Sequence, residues 1–188
     1  MTDSRPIQLV DGSSPANAQN LFDRLSALGI HATTIKHPRV FTVEQSKALR
    51  GKIPGCHTKN LLLRNKKGVM WLIVCLENRT VNLKSLATCL GAGRFSFANP
   101  ERLERYLGVE PGAVSPFAVT NDHTHKVGVA VDREILRHET LNFHPLDNSM
   151  TTSINSEDFL RFLESEGHTP TVVDFDKYSL NGEGRTEK

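Results

Sequence analysis

The chain has 188 residues, enough for one domain with a well-buried core and too few for two large ones. Hydrophobic residues at 38% and charged residues at 23% exclude a fibrous or wholly disordered chain. A formal net charge of +2 is too small for a general nucleic-acid coat, although a local basic patch is enough to hold a phosphate backbone. No apolar run approaches the roughly 20 residues of a membrane span, and Met1 to Pro15 lacks the hydrophobic core of a signal peptide. Cys56, Cys75 and Cys89 are odd in number and without paired spacing, which fits a reducing, cytoplasmic setting.

Residues 1–16 carry Ser, Pro, Asp and Gly without periodicity and read as a flexible or loosely packed arm. From Ala16 to Leu28 the apolar positions follow a helical period, and Gly29 ends it. Ile30 to Lys36 reads as a strand closed by His37-Pro38. Thr42 to Leu49 reads as a short helix, with Thr42 and Gln45 as a capping box. After a loop over Gly51 to His57, Thr58 to Arg64 and Val69 to Leu76, joined by Asn65-Lys66-Lys67-Gly68, form a β-hairpin pattern. Leu83 to Leu90 is helical, Arg94 to Ala98 alternates like a strand, and Asn99-Pro100 opens a helix to Leu107. Val127 to Val131, Leu141 to Phe143 and Met150 to Ile154 read as strands. An amphipathic helix follows over Ser156 to Glu166, then a last strand over Thr171 to Phe175. The tail 177–188 is polar and reads as disordered. Helices and strands do not alternate regularly, so the pattern implies an α+β (mixed α/β) fold in a single compact domain, 17–176.

Three islands carry possible chemistry. Thr58-Lys59-Asn60 sets a lysine between two hydrogen-bonding side chains at the mouth of an apolar strand, where it offers a fixed charge and several donors. Gly112-Ala113-Val114-Ser115-Pro116, after Gly108 and Pro111, brings glycine and proline geometry that suits a nest of backbone N–H groups. A plain tight connection would use the same residues. In Phe143-His144-Pro145-Leu146-Asp147-Asn148, proline holds the preceding His144 extended. A hydrogen-bonded structural histidine is the ordinary alternative. Other chemistries lack their usual spacing: Cys56-His57 are neighbours only in sequence, and His123 and His125 have no third ligand. Phosphate-loop, dinucleotide and nucleophile-elbow motifs are missing.

Taken in order, the islands resemble the editing domains associated with prolyl-tRNA synthetase, the YbaK-like superfamily. That family has a lysine at the start of an apolar strand, here Lys59, and a Gly-x-x-x-Pro loop, here Gly112 to Pro116. The Phe143 to Asn148 stretch, followed by Thr151 and Thr152, is similar to its free-standing ProX-type members. The likeness runs from about Asn17 to Phe175. It implies a mixed, barrel-like central β-sheet surrounded by short helices. It also implies trans-editing hydrolysis of alanine wrongly attached to the tRNA for proline, with no cofactor, no metal and no membrane. Prolyl-tRNA synthetase is then a candidate partner.

The chemistry that the resemblance implies is water attack on an activated ester, without a covalent nucleophile. Lys59 and the Gly112 loop would be catalytic, the lysine on the terminal phosphate or ribose and the loop amides on the oxyanion. Asn60, Ala113, Ser115, Pro116, His144 and Asn148 would bind substrate, with His144 and Asn148 shaping a pocket that rejects proline by size. Lys47, Arg50, Lys52, Arg64, Lys66 and Lys67 would form a basic rim for the tRNA. A deacylase for Cys-tRNA or Ser/Thr-tRNA, or a non-catalytic module that binds the acceptor end, would use the same residues.

Overall fold

A computed structural model describes residues 6–39 and 53–179. Its centre is the hairpin read from the sequence: β2 (Cys56–Asn65) and β3 (Met70–Leu76) pair antiparallel, with Lys59 opposite Cys75 and Asn60 opposite Val74. Five further strands extend it to the sheet order β1-β7-β6-β2-β3-β5-β8, and β4 (Phe95–Phe97) pairs with β2 off this path. These strands are β1 (Ala32–Lys36), β5 (Val127–Asp132), β6 (Thr140–Phe143), β7 (Met150–Asn155) and β8 (Thr171–Val173). The pairs β3–β5, β5–β8 and β2–β6 are parallel and the others antiparallel, so the sheet is mixed.

Strand alternation sends neighbouring residues to opposite sides of this sheet. Leu62, Leu72, Val74, Val129 and Val131 face the larger core, which includes Leu21 and Leu25 of the helix Ala18–Ala27 and Phe159, Phe162 and Leu163 of the helix Ser156–Ser165. Leu63, Ile73, Cys75 and Ala130 face a smaller core under the helix Leu83–Cys89. Covering on both faces explains why β3 reads as a continuous apolar run. Both long helices begin with asparagine caps. Asn17 and Asn20 bond each other's backbone N–H, and Asn155 Oδ1 accepts from Glu157 N at 2.8 Å.

Four phenylalanines tie the larger core to the functional loops. Phe117 meets Phe143 and Phe162 edge-on at 5.6 and 5.3 Å between ring centres, and Phe143 lies 4.9 Å from Phe159. Burying each ring contributes about 2–3 kcal/mol, with about 0.5–1.5 kcal/mol more for a well-placed aromatic pair.

Three expectations change. Segment 6–16 is not loose: Leu9 is buried, Val10 N donates to Arg105 O, and Ala16 N donates to Asn121 Oδ1. Beyond the expected boundary at 176, Asp176–Ser179 forms a helical turn that packs near the Leu83–Cys89 helix. The connections Pro116–Asn121 and Ile135–Arg137 are short 3₁₀ turns, too short for any period to show in sequence. The helix expected over Thr42 to Leu49 lies outside the described residues.

Gly108 ends the helix Pro100–Leu107 with φ +63°, and a Cβ there would lie 2.5 Å from Pro15 Cβ and 2.7 Å from Asn121 Nδ2. Gly91 has a similar φ of +59° with open space around it. Urea unfolding should show Gly91→Ala costing about 1 kcal/mol from backbone strain alone and Gly108→Ala at least about twice that, because Pro15 and Asn121 must also move.

Candidate functional site

β2 changes partners along its length. Cys56 and His57 pair with β6, and Leu63 to Asn65 pair with β4. Between them, Thr58 to Leu61 pair with no strand on that side among the described residues, Leu62 O already accepting from Ala98 N at 2.9 Å, and the sequence islands meet there. Thr58 Oγ1 donates to Asn142 O at 3.1 Å, one residue before Phe143-His144. Asn60 Nδ2 donates to Val114 O at 3.1 Å, in the middle of the glycine loop. Asn60 Oδ1 is buried with no hydrogen-bond partner, and an acceptor left so is costly unless something supplies a donor.

Lys59 leaves the strand on the opposite face from Thr58 and Asn60, as the pleat requires. Its Nζ donates to the carbonyl of Arg79, just past the open end of the hairpin. An ammonium carries three N–H donors, and this carbonyl is its single acceptor among the described residues. The structure thus brings Asn60, not the Lys59 ammonium, against the glycine loop.

Glu110-Pro111-Gly112-Ala113 forms a tight turn with Ala113 N donating to Glu110 O at 3.0 Å, and Gly112 takes φ +91°. Proline followed by a left-handed glycine is the chemistry such a turn demands. A Cβ on Gly112 would sit 3.1 Å from Asn148 Nδ2, so the second and third islands touch. Among the described residues the Gly112 and Val114 amides have no acceptor, while the Ala113 amide is used. Ser115 and Pro116 are buried in the turn that follows, where Ser115 Oγ accepts from Phe117 N at 3.2 Å. Both hold the exit of the loop, and the Ser115 hydroxyl is engaged within it.

His144 is half-buried, and its Nδ1 donates to Met150 O at 2.8 Å, leaving Nε2 as an acceptor. Burial pushes its pKa below the usual histidine value, outweighing the Met150 bond that favours the charged form. Leu146, two residues on, takes φ +65° and donates its N–H to His144 O at 3.0 Å. A leucine in the left-handed region is strained, and such strain concentrates at working sites. Asn148 is buried.

A cleft of about 590 Å³ runs along these loops. Its walls include Ala113, Leu146 and Asn148 on one side and Phe22, Lys36 and Arg39 on the other. Sequence reading passed over Lys36 and Arg39, because nothing local distinguishes them from solvated charges. It also missed His37, whose Nε2 meets Thr151 Oγ1 at 2.9 Å and whose ring lies 6.2 Å from that of His144.

The described part of the expected basic rim stands away from Lys59. Arg64, Lys66 and Lys67 sit at the turn end of the hairpin, about 17 Å or more along the strand from Lys59 by strand rise. Lys47, Arg50 and Lys52 lie outside the described residues. Cys56 is unsuited to attack: burial raises its thiol to about 11, and His57 Nε2 donates to Ile53 O at 3.0 Å. His123 and His125 go separate ways, to Asp11 and to the ring of His168. Among the described residues no helix is long and apolar enough to cross a membrane.

Comparison with known proteins identifies the family. Residues 37–162 match the aminoacyl-tRNA editing domain family. The prolyl-tRNA synthetase associated domain-containing protein 1 of Bos taurus is 38% identical over 162 residues, covering 84% of this chain and 94% of its own. The prolyl-tRNA editing protein ProX of Acetoanaerobium sticklandii is 35% identical over 157 residues, covering 83% and 96%. The solved hypothetical protein APE2540 has the same fold, with a TM-score of 0.66 at 18% identity over 82% of this chain and 97% of that one. The chain belongs to the aminoacyl-tRNA editing domain family.

Proposed function

We propose that this protein is a trans-editing deacylase that removes alanine from mischarged tRNA for proline by direct attack of water on the ester. The observation that carries the reading is the convergence of polar groups at the β2 gap. Among the described residues, Asn60 Oδ1 is a buried acceptor without a donor, and the Gly112 and Val114 amides are donors without acceptors. An aminoacyl ester brings the complement, with an amino group to donate and a carbonyl whose oxyanion needs donors. The ester is already activated, so orientation of water and stabilisation of the oxyanion suffice.

His144 and Asn148 bound the amino-acid pocket in this reading, and size rejects proline while a methyl group fits. The neutral imidazole presents Nε2 as an acceptor inside that pocket. Lys59, with one carbonyl acceptor and two donors to spare, takes a phosphate or hydroxyl of the terminal nucleotide at the hairpin's mouth. Lys36 and Arg39 supply positive charge on the cleft wall. A prolyl-tRNA synthetase is the natural source of the mischarged substrate.

The purified chain should release alanine from Ala-tRNA(Pro) and spare Pro-tRNA(Pro) in a deacylation assay. Loss of cysteine, serine or threonine esters instead would reassign the pocket, and bound tRNA without turnover would leave a binding module. Asn60→Ala and Lys59→Ala should each lower alanine release by about a hundredfold with the far-ultraviolet circular dichroism unchanged; unimpaired turnover in both would sink the assignment. His144→Ala should relax the preference between alanine and larger amino acids, read from the same panel.

The pH dependence has a definite sign. His144 is neutral when folded and takes up its proton more readily when unfolded. The stability it contributes above about pH 6.5 is therefore lost progressively as pH falls toward the lowered folded value. NMR titration should place the His144 midpoint below that of an exposed histidine, and a midpoint at or above the ordinary value would contradict its burial.

A further inference from the structure

Lys59 is the centre of a second polar network, on the face of β2 away from the glycine loop. The carbonyl that receives its ammonium belongs to Arg79, and the side chain of that residue is clamped from two sides. Arg79 Nε donates to Asp132 Oδ2 at 3.0 Å, and Arg79 Nη1 pairs with Asp176. Asp132 is 1% exposed at the end of β5, and its other oxygen accepts from Glu134 N at 3.0 Å, so it cannot turn away. The Arg79 amide is fixed too, through Arg79 N to Leu76 O at 3.0 Å. Backbone and side chain of Arg79 are thus both held, which gives its carbonyl one direction.

A loop carbonyl on its own is a poor tether for a lysine, whose flexible four-carbon stem has many rotamers to lose. Here the loop is anchored to a buried carboxylate. Asp132 and Asp176 stand 53 and 97 residues from Arg79 in sequence, so the assembly exists only in the folded chain. It also spends a buried charge pair, which is a weak device for stability alone, whereas fixing a conformation is its better-attested use.

We propose that Arg79, locked between Asp132 and Asp176, is a positioning residue that sets the place of the Lys59 ammonium through its own carbonyl. This rests on the role of Lys59 proposed above. Arg79 touches no substrate; it confines the lysine to the mouth of the hairpin, where a phosphate or hydroxyl is received with little ordering cost. Asp176 makes the short C-terminal helical turn part of that support.

A double-mutant cycle on the full chain tests it, with Ala-tRNA(Pro) deacylation and acylation of Lys59 by a small activated ester, followed by mass spectrometry, as two readouts. Arg79→Ala should lower kcat/KM about tenfold and have no further effect in the Lys59→Ala background. The acylation rate of Lys59 should rise at least about threefold in Arg79→Ala, as it loses its tether, while Lys84 and Lys126 stay unchanged; Arg79→Lys should restore part of both. Additive losses, or unchanged Lys59 acylation in a folded Arg79→Ala chain, overturn the proposal. Should Arg79→Ala fail to fold, Asp176→Asn replaces it, since that carboxylate is 70% exposed. A smaller shift of Lys59 acylation in the same direction supports the proposal, and none overturns it. If wild-type chain deacylates no aminoacyl-tRNA, the deacylase reading fails, and the acylation arm alone decides whether Arg79 positions Lys59.

Discussion

The contact on which the site depends is the packing of Phe117 against Phe143 and Phe162, with Phe159 behind Phe143. Phe117 lies just past the exit of the glycine loop, and Phe143 immediately precedes His144. Docking both rings on one helix sets two loops from distant parts of the chain against each other, so closely that a Cβ on Gly112 would lie 3.1 Å from Asn148 Nδ2. Close-packed interiors tolerate little displacement, so loops anchored in this way inherit the rigidity of the core. That matters for the deacylation proposed above, where placement of donors and acceptors would be the main source of rate.

The second constraint is the broken edge of β2. A strand fully paired on both sides has no backbone or side-chain edge to offer a ligand. By pairing with β6 at its start and β4 at its end, β2 leaves Thr58 to Leu61 without a strand partner on that side among the described residues, and loops meet it there. Thr58 and Asn60 hold those loops through Asn142 and Val114, which joins the recognition surface to the central hairpin. The same pleat sends Lys59 the other way, to Arg79 and its two carboxylates. Adjacent residues therefore belong to two networks, and one strand mechanically joins a site on one face of the sheet to its support on the other.

Where sequence reading worked, local physics decided the outcome. The hairpin followed from two apolar runs and a short polar turn. The helices Ala18–Ala27 and Ser156–Ser165 followed from apolar period and a closing glycine, and Pro100–Leu107 from its Asn99 cap and first-turn proline, because capping and amphipathicity act over four or five residues. Where it missed, the cause lay far away in the chain. Residues 6–16 lack period, yet Asn121 and Arg105 hold them in place. That the Ser115 hydroxyl accepts from the Phe117 amide could not be read from the loop's Gly and Pro pattern. Arg64 and Lys66 follow Lys59 closely in sequence, but an extended strand carries them to the opposite end of the hairpin.

The sequence by itself determined the element types, the mixed α+β character and the three islands, since turn chemistry, apolar period and Gly/Pro placement are written in neighbouring residues. Tertiary structure alone decided which islands meet, on which face each side chain acts, and which groups stay unsatisfied. Asn60 Oδ1 is a spare acceptor among the described residues because burial removes water from it, and the His144 pKa lies below the ordinary histidine value because the fold encloses it. Both are properties of solvent exclusion, which no stretch of sequence has until the chain has closed around it.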